Sequence, residues 1–134
     1  MENNEDYVSF ETAKILKEKG FDEVCDYRYY ETHSGFDMGL DPGYTNSHWE
    51  DWYKDLGVRN YSAPTLQMAM KWLRKEKGVA IIPVIASILD NERFLWNIKI
   101  VVAKTNETYS QGWIYEEPEE VCEAAIKYCL ENLI

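Results

Sequence analysis

The chain has 134 residues and sets 24 Asp and Glu against 14 Lys and Arg, a formal net charge of −10; that length fits one domain, residues 1–134, and that charge repels nucleic acid and anionic membranes. Apolar residues make up 46% and aromatics 14%, with five Trp, ten Tyr and four Phe, which argues against disorder and for a packed core or an interface. No apolar run has the length of a membrane span, the opening Met1-Glu2-Asn3-Asn4-Glu5-Asp6 is too acidic for a signal peptide, and three cysteines, an odd count, suit a cytoplasmic chain with free thiols.

The first helix is expected from Ser9, whose hydroxyl can cap the first turn. Phe10, Ala13 and Leu16, with Ile15 beside them, recur on one face, and Gly20 supplies the stop. A strand follows over Val24 to Glu31, where Cys25, Tyr27 and Tyr29 alternate with Asp26 and Arg28. Gly35, Gly39, Pro42 and Gly43 interrupt the next stretch, within which Phe36 to Leu40 is read as a short hairpin partner.

Ser47-His48-Trp49-Glu50 has the S-x-x-E form of a capping box. Trp49, Trp52, Tyr53 and Leu56 then follow at helical spacing and Gly57 closes the segment. This predicts a short helix with an aromatic face, which either docks on the core or serves as a binding surface. A third helix is expected from Ala63-Pro64, with Leu66, Ala69, Met70 and Leu73 as its stripe, Met68 and Trp72 flanking it, and Gly78 at its end. Its basic last turns, Lys71, Arg74, Lys75 and Lys77, suit the helix dipole.

Val79 to Ile88 is β-prone, and Pro83 within it predicts an edge strand, a bulge or a break. After the Asp90-Asn91 turn, Arg93 to Ala103 is the clearest strand: Phe94, Trp96, Ile98, Ile100 and Val102 share one face. A further turn at Thr105-Asn106-Glu107 leads to a short strand within Thr108 to Tyr115. The last helix spans Pro118 to Asn132. Acids load its start, and Cys122, Ala125, Ile126, Cys129 and Leu133 form its apolar face, widened by Val121, Ala124 and Tyr128. Cys122 and Cys129 stand two turns apart, roughly 10 Å along the axis, beyond disulfide reach within one helix. A Cys25 bridge to Cys122 or Cys129 stays geometrically open if the last helix crosses the first strand, but the apolar positions of the three thiols and a reducing compartment lead to the expectation that all three are reduced and largely buried.

The predicted architecture is α+β: one antiparallel sheet of four or five strands with three main helices packed on one face, in the order α-β-(β)-α-α-β-β-(β)-α.

Three stretches carry a resemblance. They are Val8-Ser9-Phe10-Glu11-Thr12-Ala13-Lys14 with Lys19-Gly20-Phe21-Asp22, Tyr61-Ser62-Ala63-Pro64-Thr65-Leu66-Gln67 through Lys71-Trp72-Leu73-Arg74, and Glu119-Glu120-Val121-Cys122-Glu123-Ala124-Ala125 through Leu130. The pattern resembles small proteins of unassigned activity encoded by phages and prophages of gut bacteria. The segment from Thr32 to Gly57 departs from it by its length. The resemblance implies a mobile-element setting and carries no catalytic residue across.

Motifs of chemistry are missing. C-x-x-C, H-x-x-x-H and H-E-x-x-H metal spacings do not occur, nor does a G-x-S-x-G elbow or a glycine-rich phosphate loop, so neither a metal nor a cofactor is expected. The leading expectation is a non-enzymatic protein-binding module whose partner is a host or phage protein. Trp49, Trp52 and Tyr53 are its binding residues, because long inserted segments carry function and aromatics anchor interfaces. A first alternative is a small hydrolase that uses His33 or His48 with Asp37, Asp41 or Glu50. A second is an acidic nucleic-acid mimic built on the run Glu116, Glu117, Glu119, Glu120 and Glu123.

Overall fold

The computed structural model describes residues 6–47, 57–110 and 112–134. The protein is α+β and divides into two compact units, Met1–Thr65 and Leu66–Ile134.

The first unit contains α1 (Phe10–Glu18), β1 (Cys25–Thr32), β2 (Gly35–Tyr44) and β3 (Arg59–Ser62). Ser9 caps α1 as its sequence position requires: its hydroxyl accepts the Thr12 amide and donates to Thr12 Oγ1. At the other end Gly20 takes φ +95°, a conformation that an L side chain resists. Its N–H donates to Lys17 O, and the Phe21 N–H donates to Leu16 O. This paired closure satisfies carbonyls that the helix end would otherwise strand, and it brings buried Phe21 beside buried Leu16.

The three strands form an antiparallel sheet in the order β2-β1-β3. Tyr29 sits at its centre, opposite Met38 on one side and Tyr61 on the other. Phe10 of α1 meets this row: its ring stacks on Phe36 at 4.1 Å and stands edge-on to Tyr29 and Tyr61. On the opposite face the Tyr30 ring lies across Gly39, where a Cβ would come within 3.2 Å of Tyr30 Cε1.

The second unit contains α2 (Leu66–Lys77), β4 (Val79–Ile88), β5 (Phe94–Val102), β6 (Glu107–Ser110) and α3 (Pro118–Asn132). Its strands form a second antiparallel sheet in the order β4-β5-β6. The two helices pack on each other; α2 also packs on β4, and α3 on both β4 and β5. The core beneath them is Leu66, Ala69, Trp72 and Leu73 from α2, Val79, Ile98 and Ile100 from the sheet, and Val121, Cys122, Ala125, Ile126, Cys129 and Leu130 from α3.

Several expectations are corrected. The chain forms two three-stranded sheets rather than one of four or five strands, and the helices are shared out: α1 belongs to the first sheet, α2 and α3 to the second. The order along the described residues is α-β-β-β-α-β-β-β-α. β3 was not expected at all, because Arg59-Asn60-Tyr61-Ser62 lacks an apolar alternation and is a strand through its backbone pairing with β1. α2 begins at Leu66 rather than Ala63, because Ala63 and Pro64 are held in extended pairing instead: Ala63 N–H donates to Tyr27 O, and Val8 N–H donates to Pro64 O. The helix expected from Ser47 to Leu56 falls almost wholly outside the described residues.

Pro83 lies on β4, an edge strand, and the pairing slips by one residue between Ile85 and Ser87, which marks a bulge. The last strand is shorter than expected, and Tyr115 returns to bridge Trp96.

Candidate functional site

The chain leaving β2 and the end of β3 are tied together by one buried amide. Asn46 is 5% exposed. Its Nδ2 donates to Phe21 O at 2.7 Å, and its Oδ1 accepts the Ser62 amide at 2.8 Å. Next to it, the Asp22 carboxylate accepts both the amide and the hydroxyl of Ser47, at 2.8 and 2.7 Å. A buried amide is tolerated only when both of its ends find partners, so this arrangement ties the α1–β1 connection to the end of β3.

Beside this root lies an open cleft of about 990 Å³, within the size range of ligand sites. Lys14, Lys17 and Glu18 of α1 line one side; Arg59, Asn60 and Tyr61 of β3 line the other. Among the described residues, its lining thus holds three cations and one carboxylate in a chain of net charge −10. Lys17 Nζ donates to Asn60 O at 3.0 Å and stands over the Tyr61 ring at 5.2 Å. Lys14 Nζ stands over the Phe10 ring, 4.0 Å from a Glu31 oxygen. The Tyr61 hydroxyl donates to Glu31 Oε1 at 3.4 Å. Burial first, and then the Glu31 carboxylate, push the Tyr61 phenol up from its ordinary value, so it remains a neutral donor. Cations over aromatic faces, with a phenol between them, make a surface suited to carboxylate-bearing partners.

The sequence-predicted binding residues Trp49, Trp52 and Tyr53 lie outside the described residues, as do His48 and Glu50. The hydrolase set is not assembled among the residues described. His33 occupies the exposed β1–β2 turn and does not line the cleft. Asp41 pairs with Arg28 at 2.9 Å, and Arg28 also donates to Asn60 Oδ1. Asp37 accepts the Met38 amide. Asp37 and Asp41 stand four residues apart on one strand, roughly 13 Å, too far to share a proton or a water.

No group of three or more His, Cys, Asp and Glu among the described residues is placed to hold a metal ion, and no helix among them is long and apolar enough to cross a membrane. In the acidic run, Glu119 and Glu120 occupy the exposed first turn of α3, and Glu116 lies 3.9 Å from Arg93. The three cysteines are free and buried. Burial pushes the Cys25 and Cys129 thiols up to about 12 and Cys122 up to about 11; at Cys25 the Ser62 hydroxyl works against the rise. None of the three is an activated nucleophile.

Two features escaped sequence reasoning. The cleft unites α1 with β3, and the second of these elements was not expected. The far half of the β4–β5 hairpin exposes Ile82, Val84, Ile85, Ile88, Leu89 and Phe94. The signal that could have found the latter is the run from Val79 to Leu89, which holds no charged residue.

No protein-family model, no curated protein and no solved structure matches the chain.

Proposed function

We propose that the protein is a non-enzymatic binding module that captures another protein through the first unit, with Trp49, Trp52 and Tyr53 as apolar anchors and Lys14, Lys17 and Arg59 as charged contacts. The observation that carries this reading is the cleft: cations and Tyr61 converge on one open cavity in a chain whose overall charge has the opposite sign. Trp, Tyr and Arg are the residue types that dominate binding energy at interfaces. The partner's matching surface carries both apolar and acidic groups. In keeping with the resemblance to phage and prophage proteins, the setting is the cytoplasm of a bacterial host and the partner is a host or phage protein.

Affinity capture from host lysate tests the reading. The wild-type chain retains a specific partner; the Trp49→Ala/Trp52→Ala double variant loses it, and Arg59→Glu weakens its retention by tenfold or more, on the order of 1.4 kcal/mol or above. Retention of every partner at wild-type strength by both variants rejects the proposal.

A further inference from the structure

In the first unit, register places Glu31 of β1 opposite Arg59 of β3, and Tyr29 opposite Tyr61. Residues that oppose each other across an antiparallel pair share one face of the sheet. Phe10 marks that face as the one under α1, since its ring meets both Tyr29 and Tyr61. Lys14 follows Phe10 by one turn of the helix, and Lys17 follows it by two. The helix therefore delivers two ammonium groups to the side of the sheet that carries Glu31, Arg59 and Tyr61.

Lys14 and Tyr61 hold the Glu31 carboxylate, and they hold it loosely. Lys14 Nζ is 4.0 Å from Glu31 Oε2, and the Tyr61 hydroxyl reaches Oε1 at 3.4 Å. Full contact would be about 2.7–2.9 Å for the ammonium and about 2.5–2.7 Å for the hydroxyl. The side chains of Lys14 and Glu31 are 40% and 31% exposed, so solvent and solutes reach both. The charge is not balanced either. Lys14, Lys17 and Arg59 face only Glu18 and Glu31 around the cleft, and Lys17 donates to the neutral Asn60 carbonyl.

We infer that Glu31 holds the place of an incoming carboxylate: an aspartate or glutamate side chain of an acidic peptide segment takes over the Lys14 ammonium and the Tyr61 hydroxyl, and Glu31 swings out to solvent. This rests on the reading of the cleft as a protein-binding site and names the chemistry of what enters it. The chain's own glutamate, bound at long distance by these two groups, shows what they accept. A second carboxylate a few ångströms from Glu31 would be repelled by it, so the event is an exchange rather than an addition. The Tyr61 phenol stays neutral beside Glu31 and keeps its proton to donate to whichever carboxylate is present.

The exchange makes Glu31 a specificity-determining residue. While its carboxylate is in place, any anion that enters must first displace it, so acidity alone is a poor ticket into the cleft. A segment that also makes apolar contacts has the further binding energy to drive the displacement. A neutral residue at position 31 leaves Lys14, Arg59 and Tyr61 open to any acidic peptide.

Fluorescence anisotropy with labelled hexaglutamate, and with hexaglutamine as the uncharged control, tests this at low ionic strength, where exposed charges are least screened. Glu31→Gln binds hexaglutamate roughly threefold or more tighter than the wild type does, the scale of one partly exposed ion pair. Adding Lys14→Gln to that variant removes the gain, and hexaglutamine shows none. Glu92→Gln, which takes the same charge from the second unit, binds as the wild type does. Should Glu31→Gln misfold, Glu31→Thr, a residue suited to a strand, replaces it. A smaller gain in Glu31→Gln overturns the inference, as does a gain that persists without Lys14, an equal gain in Glu92→Gln, or an equal gain for hexaglutamine. The measurement uses neither lysate nor a change at Trp49 or Trp52, so it is read separately from the capture experiment. A partner captured while Glu31→Gln gains nothing leaves the binding module standing and overturns the exchange; a gain without any captured partner supports the exchange and rejects protein capture.

Discussion

The side-chain carbonyl of Asn46 accepts the backbone N–H of Ser62 at 2.8 Å, in a place where both residues are buried. The same side chain donates to Phe21 O at 2.7 Å, so a single amide holds together the α1–β1 connection, the end of β2 and the end of β3. Asn46→Ala strips partners from a buried donor and a buried acceptor at once. Each orphaned group costs about 1–3 kcal/mol, and denaturant unfolding should show a loss of about 2–4 kcal/mol. Asn46→Asp keeps the acceptor for Ser62 but faces a carboxylate toward the Phe21 carbonyl. It should be at least as damaging at neutral pH, and partly relieved in acid as the carboxylate protonates.

The facing of β5 gives a second prediction. Ile98 is 1% exposed, whereas Ile88, in the same row of the sheet, is 71% exposed. Ile98→Ala should lower stability by about 2–5 kcal/mol through the cavity it leaves, and Ile98→Asp by more, because a buried charge has no partner there. Ile88→Ala should change stability by no more than about 0.5 kcal/mol. Equal effects at the two sites would mean that α2 and α3 cover the whole length of the hairpin.

Pro83 supports a third. Its missing N–H lies on the free side of β4, so Pro83→Val restores a donor to the middle of an exposed, uncharged edge. Within the sheet the change is mild, since no hydrogen bond to β5 depends on that position. Between molecules it removes the interruption that keeps edges from pairing. Light scattering on concentrated samples should show Pro83→Val growing into large assemblies under conditions where the wild type does not. Equal scattering from the two chains would show that Pro83 does not guard the edge.

What the sequence revealed and what it hid follow from the range of the signals. α1 was legible because Ser9 and Gly20 act within one turn of themselves; α3 and β5 were legible because their apolar periods are long. β3 was hidden because four polar residues become a strand only through pairing with β1 and the reach of Asn46 from sixteen residues away. The sharing of helices between two sheets was hidden for a related reason: a stripe such as Cys122, Ala125, Ile126 and Cys129 states that a face is buried but not against what. The exposed half of the β4–β5 hairpin shows the same limit along a strand. Alternation through Ile85 and Ile88 reads the same whether or not a helix extends over it. The cleft inherits the blindness to β3, since Arg59 and Tyr61 supply half of its walls.

The thiols give the last prediction, and its sign follows from burial. Each cysteine has a folded pKa raised above its ordinary value of 9.0, to about 12 for Cys25 and Cys129 and about 11 for Cys122, with desolvation as the largest cause. The fold therefore favours the neutral thiol. That contribution to stability is fully present below the unfolded pKa, near 9, and is lost as pH rises through the folded values near 11 and 12. Thermal melts should show no thiol-linked change from neutral pH to about 9 and a fall above it. The fall should be shallower in Cys129→Ala, which lacks one titrating group, after allowance for the lower baseline that a smaller core side chain brings. The same shift governs reactivity, because the thiolate is the species that attacks. At pH 8 the native protein should react slowly with a disulfide reagent. After denaturation without reductant, all three thiols, Cys25, Cys122 and Cys129, should titrate. A fast-reacting thiol in the native state would place a cysteine outside the core, and a count of one after denaturation would reveal a disulfide where the fold has free cysteines.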